Sequence, residues 1–488
     1  MQSRRSVTVR CARRALCAAL AWSFGATLAQ PSGLTVLHGG AVVQQSGSAT
    51  TITTLNGAGT RHSALDWRSF DVGSGQSVFF SQPDALSLSI NRVPGNDPSA
   101  ILGSLASNGR LVLVNPAGIT IGGGAVVDTA GFTASTLPMS AADAIAGRLR
   151  FDATGDKDRP GAVKVDGQVL ARSGDVVLIG PRVETGSAAL VEASGGDVVI
   201  AAGRKVELTG RGLEGIRMEV RAPDDRAVNL GTLKGDSVGI FAGQLRHSGL
   251  IQAKGATVSG GRVVLHGTDD VEVAGRIEAA TPERGGSVWI SGERLELKSS
   301  TTIDVSHLHG GGEILVGGGR RGQDARLQNA QRVEVDEGVQ LKADATLSGN
   351  GGTVVVRSDD RLDFRGAISS RGAGGGSPGY VEVHAPDLRY RGKVNRSADA
   401  EEGTPGKGSK DGKAPTRAPG GKFTDVESLA ILPVSEQPQE VQVAVREPST
   451  ETVVAIQQLA WMPAQSSGNP DAYARKVVID AVQCTVTR

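Results

Sequence analysis

The sequence predicts an all-β fold, a parallel β-helix in which short strands stack as the coils of a solenoid. Three observations predict it. Glycine fills 68 of 488 positions, about twice its average usage, while prolines number 20 and no strict Gly-X-Y period exists, which excludes collagen. Aromatic residues make up only 3 % of a chain rich in Val, Ile, Leu and Ala, so the core must be repeated thin aliphatic layers rather than one globule. Finally, a glycine pair followed by an aliphatic strand recurs. It stands at Gly195-Gly196-Asp-Val-Val-Ile, Gly260-Gly261-Arg-Val-Val-Leu, Gly285-Gly286-Ser-Val-Trp-Ile, Gly311-Gly312-Glu-Ile-Leu-Val and Gly351-Gly352-Thr-Val-Val-Val.

The gaps between successive second glycines, 65, 25, 26 and 40 residues, read as three, one, one and two units of about 20–26 residues. Between them lie Asp270-Val-Glu-Val, Arg294-Leu-Glu-Leu, Thr302-Ile-Asp-Val, Arg332-Val-Glu-Val and Arg361-Leu-Asp-Phe, each alternating as a strand with one buried face does. A β-sandwich or propeller would need hairpins and hence frequent Asn-Gly or Asp-Gly pairs. Such pairs are few and mostly off the repeat. At ~22 residues and ~4.8 Å per coil, residues 33–395 would make about 16 coils and a rod of about 75–80 Å, with Ala141–Arg148 the one helical candidate.

In chain order, residues 1–29 read as a signal peptide. Arg4, Arg5, Arg10, Arg13 and Arg14 precede an apolar run from Ala15 to Phe24, and Thr27 and Ala29 place small residues before a cleavage between Ala29 and Gln30. The run is too short to span a bilayer, and no later stretch is apolar enough. Ser3-Arg4-Arg5 hints at twin-arginine export, but Sec export is favoured. Residues 30–280 and 281–395 carry the coils. Residues 396–422 hold almost no apolar side chain and read as a flexible linker. The segment 423–488 regains hydrophobics, with Val441–Val445 strand-like and Thr452–Trp461 helix-like, and its fold is left open. After cleavage only Cys484 remains, so no internal disulfide forms. The formal charge is +1 overall and −4 beyond the five N-terminal arginines, which gives no nucleic-acid footprint.

The stretch from Leu34 to Leu137 carries an ordered series of motifs. Asp66-Trp67-Arg68-Ser69-Phe70-Asp71-Val72-Gly73 leads to Val78-Phe79-Phe80-Ser81-Gln82-Pro83, Asn91-Arg92-Val93 and Asp97-Pro98-Ser99-Ala100-Ile101-Leu102-Gly103. Leu113-Val114-Asn115-Pro116-Ala117-Gly118-Ile119 and Gly131-Phe132-Thr133-Ala134-Ser135-Thr136 follow. This series resembles the secretion domain of the filamentous haemagglutinin family, the exported partners of two-partner secretion. The resemblance implies a right-handed β-helix that crosses the inner membrane and is recognised in the periplasm by the POTRA modules of an outer-membrane β-barrel transporter. It further implies a secreted, surface-associated adhesin that binds a host or neighbouring cell-surface ligand. Three features depart from the family. The familiar Asn-Pro-Asn-Gly turn is Asn-Pro-Ala-Gly here and no Asn-Pro-Asn-Leu motif occurs, the long passenger is missing, and so is the Cys pair of the cytolysin branch.

Within that resemblance, Asn91, Arg92, Asn115, Pro116, Gly118 and Ile119 are the expected transporter-recognition residues. Asn115-Pro116-Ala117-Gly118 suits a type I turn, with Asn accepting local backbone bonds and Pro fixing φ. Trp67, Phe70, Phe79 and Phe80 are expected to plug the open N-terminal end of the solenoid. His307-Leu308-His309, with Asp304 or Glu313, is a weak metal candidate beside the solvated reading. Asp269-Asp270 and Asp359-Asp360 look like the carboxylate pairs of β-helical polysaccharide hydrolases, yet both precede strands as corner residues would. The expectation is therefore an interaction protein without cofactor or catalysis. A carbohydrate-active enzyme and a truncated, non-binding relic of a larger adhesin are the alternatives.

Overall fold

The computed structural model describes residues 30–155, 159–219, 225–256 and 260–398. The expected signal segment with Ala29, the part of the expected linker from 399 onward and the segment 423–488 with Cys484 lie outside the described residues. Among the described residues, strands form three long sheets of 13, 11 and 14 strands and one of three. Each turn of the chain after the first contributes one strand to each long sheet, and neighbouring turns pair in parallel. Arg110–Val114, Ile119–Ile121 and Val126–Thr129 thus stack on Leu88–Arg92, Ser99–Ile101 and Ser104–Ser107. Antiparallel pairing caps the N-terminal end, where Thr35–His38 lies on His62–Asp66 and Gly40–Ser46 on Ala49–Leu55. This is the all-β parallel β-helix that the period-two pattern predicts.

The glycine pairs owe their place to close approach. A Cβ at Gly286, Gly312, Gly352 or Gly379 would stand 2.0–2.1 Å from the carbonyl oxygen of Gly261, Gly286, Gly312 or Gly352 respectively, one coil below. Only glycine lets the chain pass there. The same ladder corrects the spacing. Gly312 and Gly352 belong to consecutive coils, and Glu313–Val316 pairs directly with Thr353–Arg357, so the gap of 40 is one coil. The gap of 65 is two, because only Ser237–Ala242 lies between Val198–Ala202 and Arg262–Gly267. Twelve parallel strands therefore stack in the 13-stranded sheet, giving twelve coils rather than 16. The rod is then about 55–60 Å long.

The missing coils went into excursions. Residues 136–155 leave the helix after Gly131–Ser135 and residues 203–219 after Val198–Ala202. The first carries a helix, Ala141–Ile145, whose N-cap Ser140 accepts a hydrogen bond from the Asp143 amide at 3.0 Å. It ends three residues short of the expected Arg148, just ahead of Gly147 at φ +67°. Leu149–Asp152 then pairs with Lys205–Leu208 and that with Ile216–Glu219 in the small antiparallel sheet. Both excursions lie over the outer face of the 13-stranded sheet, where Leu137, Met139, Phe151 and Val206 pack on Ile90, Val112, Ile179 and Val199. That is why Val176–Gly180 and Val198–Ala202 are buried at every position.

Inside the solenoid runs a short polar ladder. Thr185 donates to Asn229 at 2.5 Å, and the Asn229 amide reaches His247 Nδ1 at 3.0 Å. Burial holds the His247 imidazole neutral and lowers its pKa to about 4, and burial shifts the half-covered His266 in the same direction. Between about pH 6.5 and 4 the unfolded chain binds more protons than the folded one, so stability falls as pH drops through that window. From His247 alone the loss amounts to roughly 3 kcal/mol. Denaturant titrations at pH 7 and 4.5 should show a markedly smaller fall in His247→Gln. An identical pH slope in both proteins would remove this assignment.

Candidate functional site

The Asn115 turn is built before it is displayed. Gly118 N–H donates to Asn115 O at 3.1 Å and Ala117 N–H to Asn115 Oδ1 at 3.0 Å, closing the turn. Asn115 Nδ2 donates to Asp97 O and Ser99 Oγ, both at 2.9 Å, and so ties the turn to the corner of the coil below. The Asn115 side chain is 0 % exposed. Asn91 is equally buried and faces the interior. Its Oδ1 accepts from Trp67 Nε1 at 2.9 Å while its amide donates to Ser89 O at 3.1 Å. Gly118 and Ile119 are buried as well. Of the six residues expected to meet a transporter, only Arg92 and Pro116 reach the surface. The others are proposed to shape the site rather than touch a partner, because a buried amide with satisfied hydrogen bonds has nothing left to offer one.

Arg92 and Pro116 open onto the same groove, of about 560 Å³, at the corner where the 13-stranded sheet ends. Pro94, Asn96, Ala117, Pro138, Met139, Arg159 and Pro160 are among its other lining residues. Arg92 is held by Asp66, with Nε 3.4 Å from Oδ1. Burial raises the Asp66 pKa, and Arg92 opposes that shift. Four prolines give rigid walls with few free amides, and Arg92 and Arg159 are the charged residues of the lining among the described residues. Among the described residues no carboxylate, imidazole, hydroxyl or thiol lines the groove. The arrangement can hold an extended segment. The walls from Pro138, Met139, Arg159 and Pro160 were missed from sequence, although prolines at 94, 116, 138 and 160 recur every 22 residues.

The remaining candidates separate. Trp67, Phe70 and Phe80 fill the interior of the first coil beneath the antiparallel cap, with ring centroids 5.7 and 6.1 Å apart along the series. Phe79 points outward and is 41 % exposed, so it does not join the plug. Adjacent residues of one strand cannot both face inward. Gln30, the first described residue, accepts a hydrogen bond from Thr50 at 2.9 Å.

Asp269 and Asp270 both bind Arg294, and Asp359 binds Arg357. The two acid pairs lie three coils apart. That is about 14 Å, beyond the roughly 5–10 Å that glycoside hydrolysis requires. His307 and His309 meet edge-on at 6.0 Å, with His309 Nδ1 3.0 Å from Ser348 Oγ. Among the described residues no group of three His, Cys, Asp or Glu is placed to hold a metal. No helix of these residues is long and apolar enough to cross a membrane.

A family model described as the TPS secretion domain matches residues 29–279. The heme/hemopexin-binding protein of Haemophilus influenzae is 36 % identical over 160 residues, covering 32 % of this chain and 16 % of that protein. A second H. influenzae sequence of the same name is 41 % identical over 78 residues, 16 % of this chain and 8 % of that one. The matches thus span only a small part of these curated relatives. The crystal structure of the HMW1 secretion domain from H. influenzae aligns at 29 % identity with a TM-score of 0.67, covering 75 % of this chain and 99 % of that one. Half of the sequence answers to one family model and the coils superpose on a solved member's, so this chain belongs to the TPS, or two-partner secretion, secretion-domain family.

Proposed function

We propose that the protein is the exported exoprotein of a two-partner secretion system. Its residues 30–280 engage the POTRA modules of a dedicated outer-membrane β-barrel, and its continuing coils 281–395 act outside the cell as an adhesin. The observation that carries the export reading is the groove. The surface parts of two sequence motifs, Arg92 and Pro116, converge there between rigid proline walls, suited to gripping an extended partner segment without chemistry. The adhesive role is supported by long, regular lateral faces. Their outward side chains form charge ladders between coils, such as Arg246–Glu272 at 3.1 Å and Arg361–Asp387 at 3.4 Å, rather than one concentrated site. Many weak contacts along such a face suit a polyvalent surface ligand.

The test is where the protein goes. In cells that carry the partner barrel it is expected in the medium or on the surface, and in cells without the barrel it is expected in the periplasm. Appearance outside the cell irrespective of the barrel would discard the reading. Attachment of producing and non-producing cells to a host surface then tests the adhesive part, which equal attachment would remove.

A further inference from the structure

The capping hairpin at the N-terminal end leaves one strand edge open. Gly40–Ser46 and Ala49–Leu55 are seven residues each, longer than any other described strand. Ala49–Leu55 has a neighbour on both edges, Gly40–Ser46 on one and Ser77–Ser81 on the other. Gly40–Ser46 pairs with Ala49–Leu55 alone, and among the described residues nothing pairs with its outer edge. In an antiparallel pair every second residue turns its N–H and C=O away from the partner, so this edge presents a row of free donors and acceptors.

Nothing on the strand guards that edge. Natural edges are blunted by lysine, proline, a bulge or an inward charge. Gly40-Ala-Val-Val-Gln-Gln-Ser46 holds no charged residue and no proline, and its register with Ala49–Leu55 is unbroken. The neutrality extends over residues 30–60, which contain no Asp, Glu, Lys or Arg in a chain that is 21 % charged. Exposed apolar side chains collect at the same place. Val36, Val42, Val43 and Leu55 are four of the eleven large ones exposed among the described residues. Val43 lies opposite the fully buried Ile52, and so on the core face of the sheet. It is nevertheless 41 % exposed, because no described coil follows beyond it.

These features select the occupant. A charged partner finds no complement on an edge without charge. A second copy of the same strand does fit. Run antiparallel against itself and centred on its midpoint, Gly40–Ser46 sets Val43 opposite Val43 and Val42 opposite Gln44, and no like charges meet. The two-fold axis then stands normal to the 14-stranded sheet. Both core faces lie on one side, the two rods continue end to end, and the contact closes on itself.

We propose that two copies of the chain join N-terminal end to N-terminal end through Gly40–Ser46, fusing their 14-stranded sheets into one and covering Val43. The dimer is a rod of about 110–120 Å with the later coils towards both tips.

Sedimentation of the mature chain tests this. Two seven-residue strands make a small interface, so the parent should be mainly monomer at about 1 μM and mainly dimer at about 100 μM. Val43→Lys and Val43→Glu each set like charges face to face and should weaken association about tenfold or more. Thermal melts of both variants near the parent's serve as the folding reference. An equimolar mixture of the two should dimerise again, because the introduced charges then meet with opposite sign. Val42→Lys, on the outward face, is a second disruption should the Val43 variants melt early. A parent that stays monomeric at about 100 μM would overturn the proposal. Variants that dimerise as the parent does would overturn it too, by placing the contact on another surface, and so would a mixture that fails to restore the dimer. None of these outcomes depends on the transporter or on adhesion.

Discussion

Ala117→Trp is expected to leave the protein folded and keep it inside the cell. Ala117 sits half-exposed at the third position of the Asn115 turn, and an indole there projects into the groove. Its amide still donates to Asn115 Oδ1, so the turn itself survives. Arg159→Glu reverses the charge of an exposed lining residue for which no ion pair is seen among the described residues. Both variants should reduce barrel-dependent release by about tenfold or more, the loss that follows from removing one central contact of a recognition site. Their unfolding midpoints should stay near the parent's, since surface changes of this kind cost about 0.5 kcal/mol or less. The measurement is a ratio of extracellular to periplasmic protein, read beside a thermal melt of each purified variant. Parental release from both variants would show that the transporter reads another surface. A lowered melt together with lowered release would trace the defect to folding.

That groove shows where reading a sequence stops. Period two made the strands legible, because a strand with one wet face must alternate, and the glycine pairs marked one corner of nearly every later coil. Spacing alone could not tell two coils from one coil plus an excursion, so the 40-residue gap between Gly312 and Gly352 was over-counted. Composition did hold a clue to the excursions. Val176-Val-Leu-Ile and Val198-Val-Ile-Ala-Ala have no polar alternates, as strands covered on both faces do not. The turn at Asn115 was legible from Asn, Pro and Gly at their positions. Its burial was not, because the partners that bury it, Asp97 and Ser99, come from the coil below. The burial of Asn91 was hidden for the same reason. Its partner Trp67 lies 24 residues away, and only the stacking of coils brings the two to 2.9 Å.

The adjacent phenylalanines of Ser77–Ser81 turn this lesson into a measurement. Phe80 is 0 % exposed, stacked on Phe70 at 6.1 Å, and Phe70 in turn meets Trp67 edge-on at 5.7 Å. Phe80→Ala opens a cavity in the first coil that the rigid strands around Ile52 and Leu105 cannot collapse to fill. The expected cost is about 3–5 kcal/mol. Phe79→Ala, one residue earlier, removes an exposed ring and should change stability by about 0.5 kcal/mol or less. In a solenoid each coil is held by its neighbours, so the Phe80 loss should be concentrated at the N-terminal end. It should show as faster hydrogen exchange over Ala49–Leu55 and Ser104–Ser107, with the coils beyond Arg262 unaffected. Denaturant unfolding followed by Trp fluorescence gives the energies, and exchange gives the location. Similar losses from the two substitutions would mean that the strand does not alternate as described. If Phe80→Ala also slows appearance outside the cell while its groove residues are intact, stability of the first coils contributes to export separately from recognition. Parental export of Phe80→Ala would confine the role of the plug to the folded protein after release.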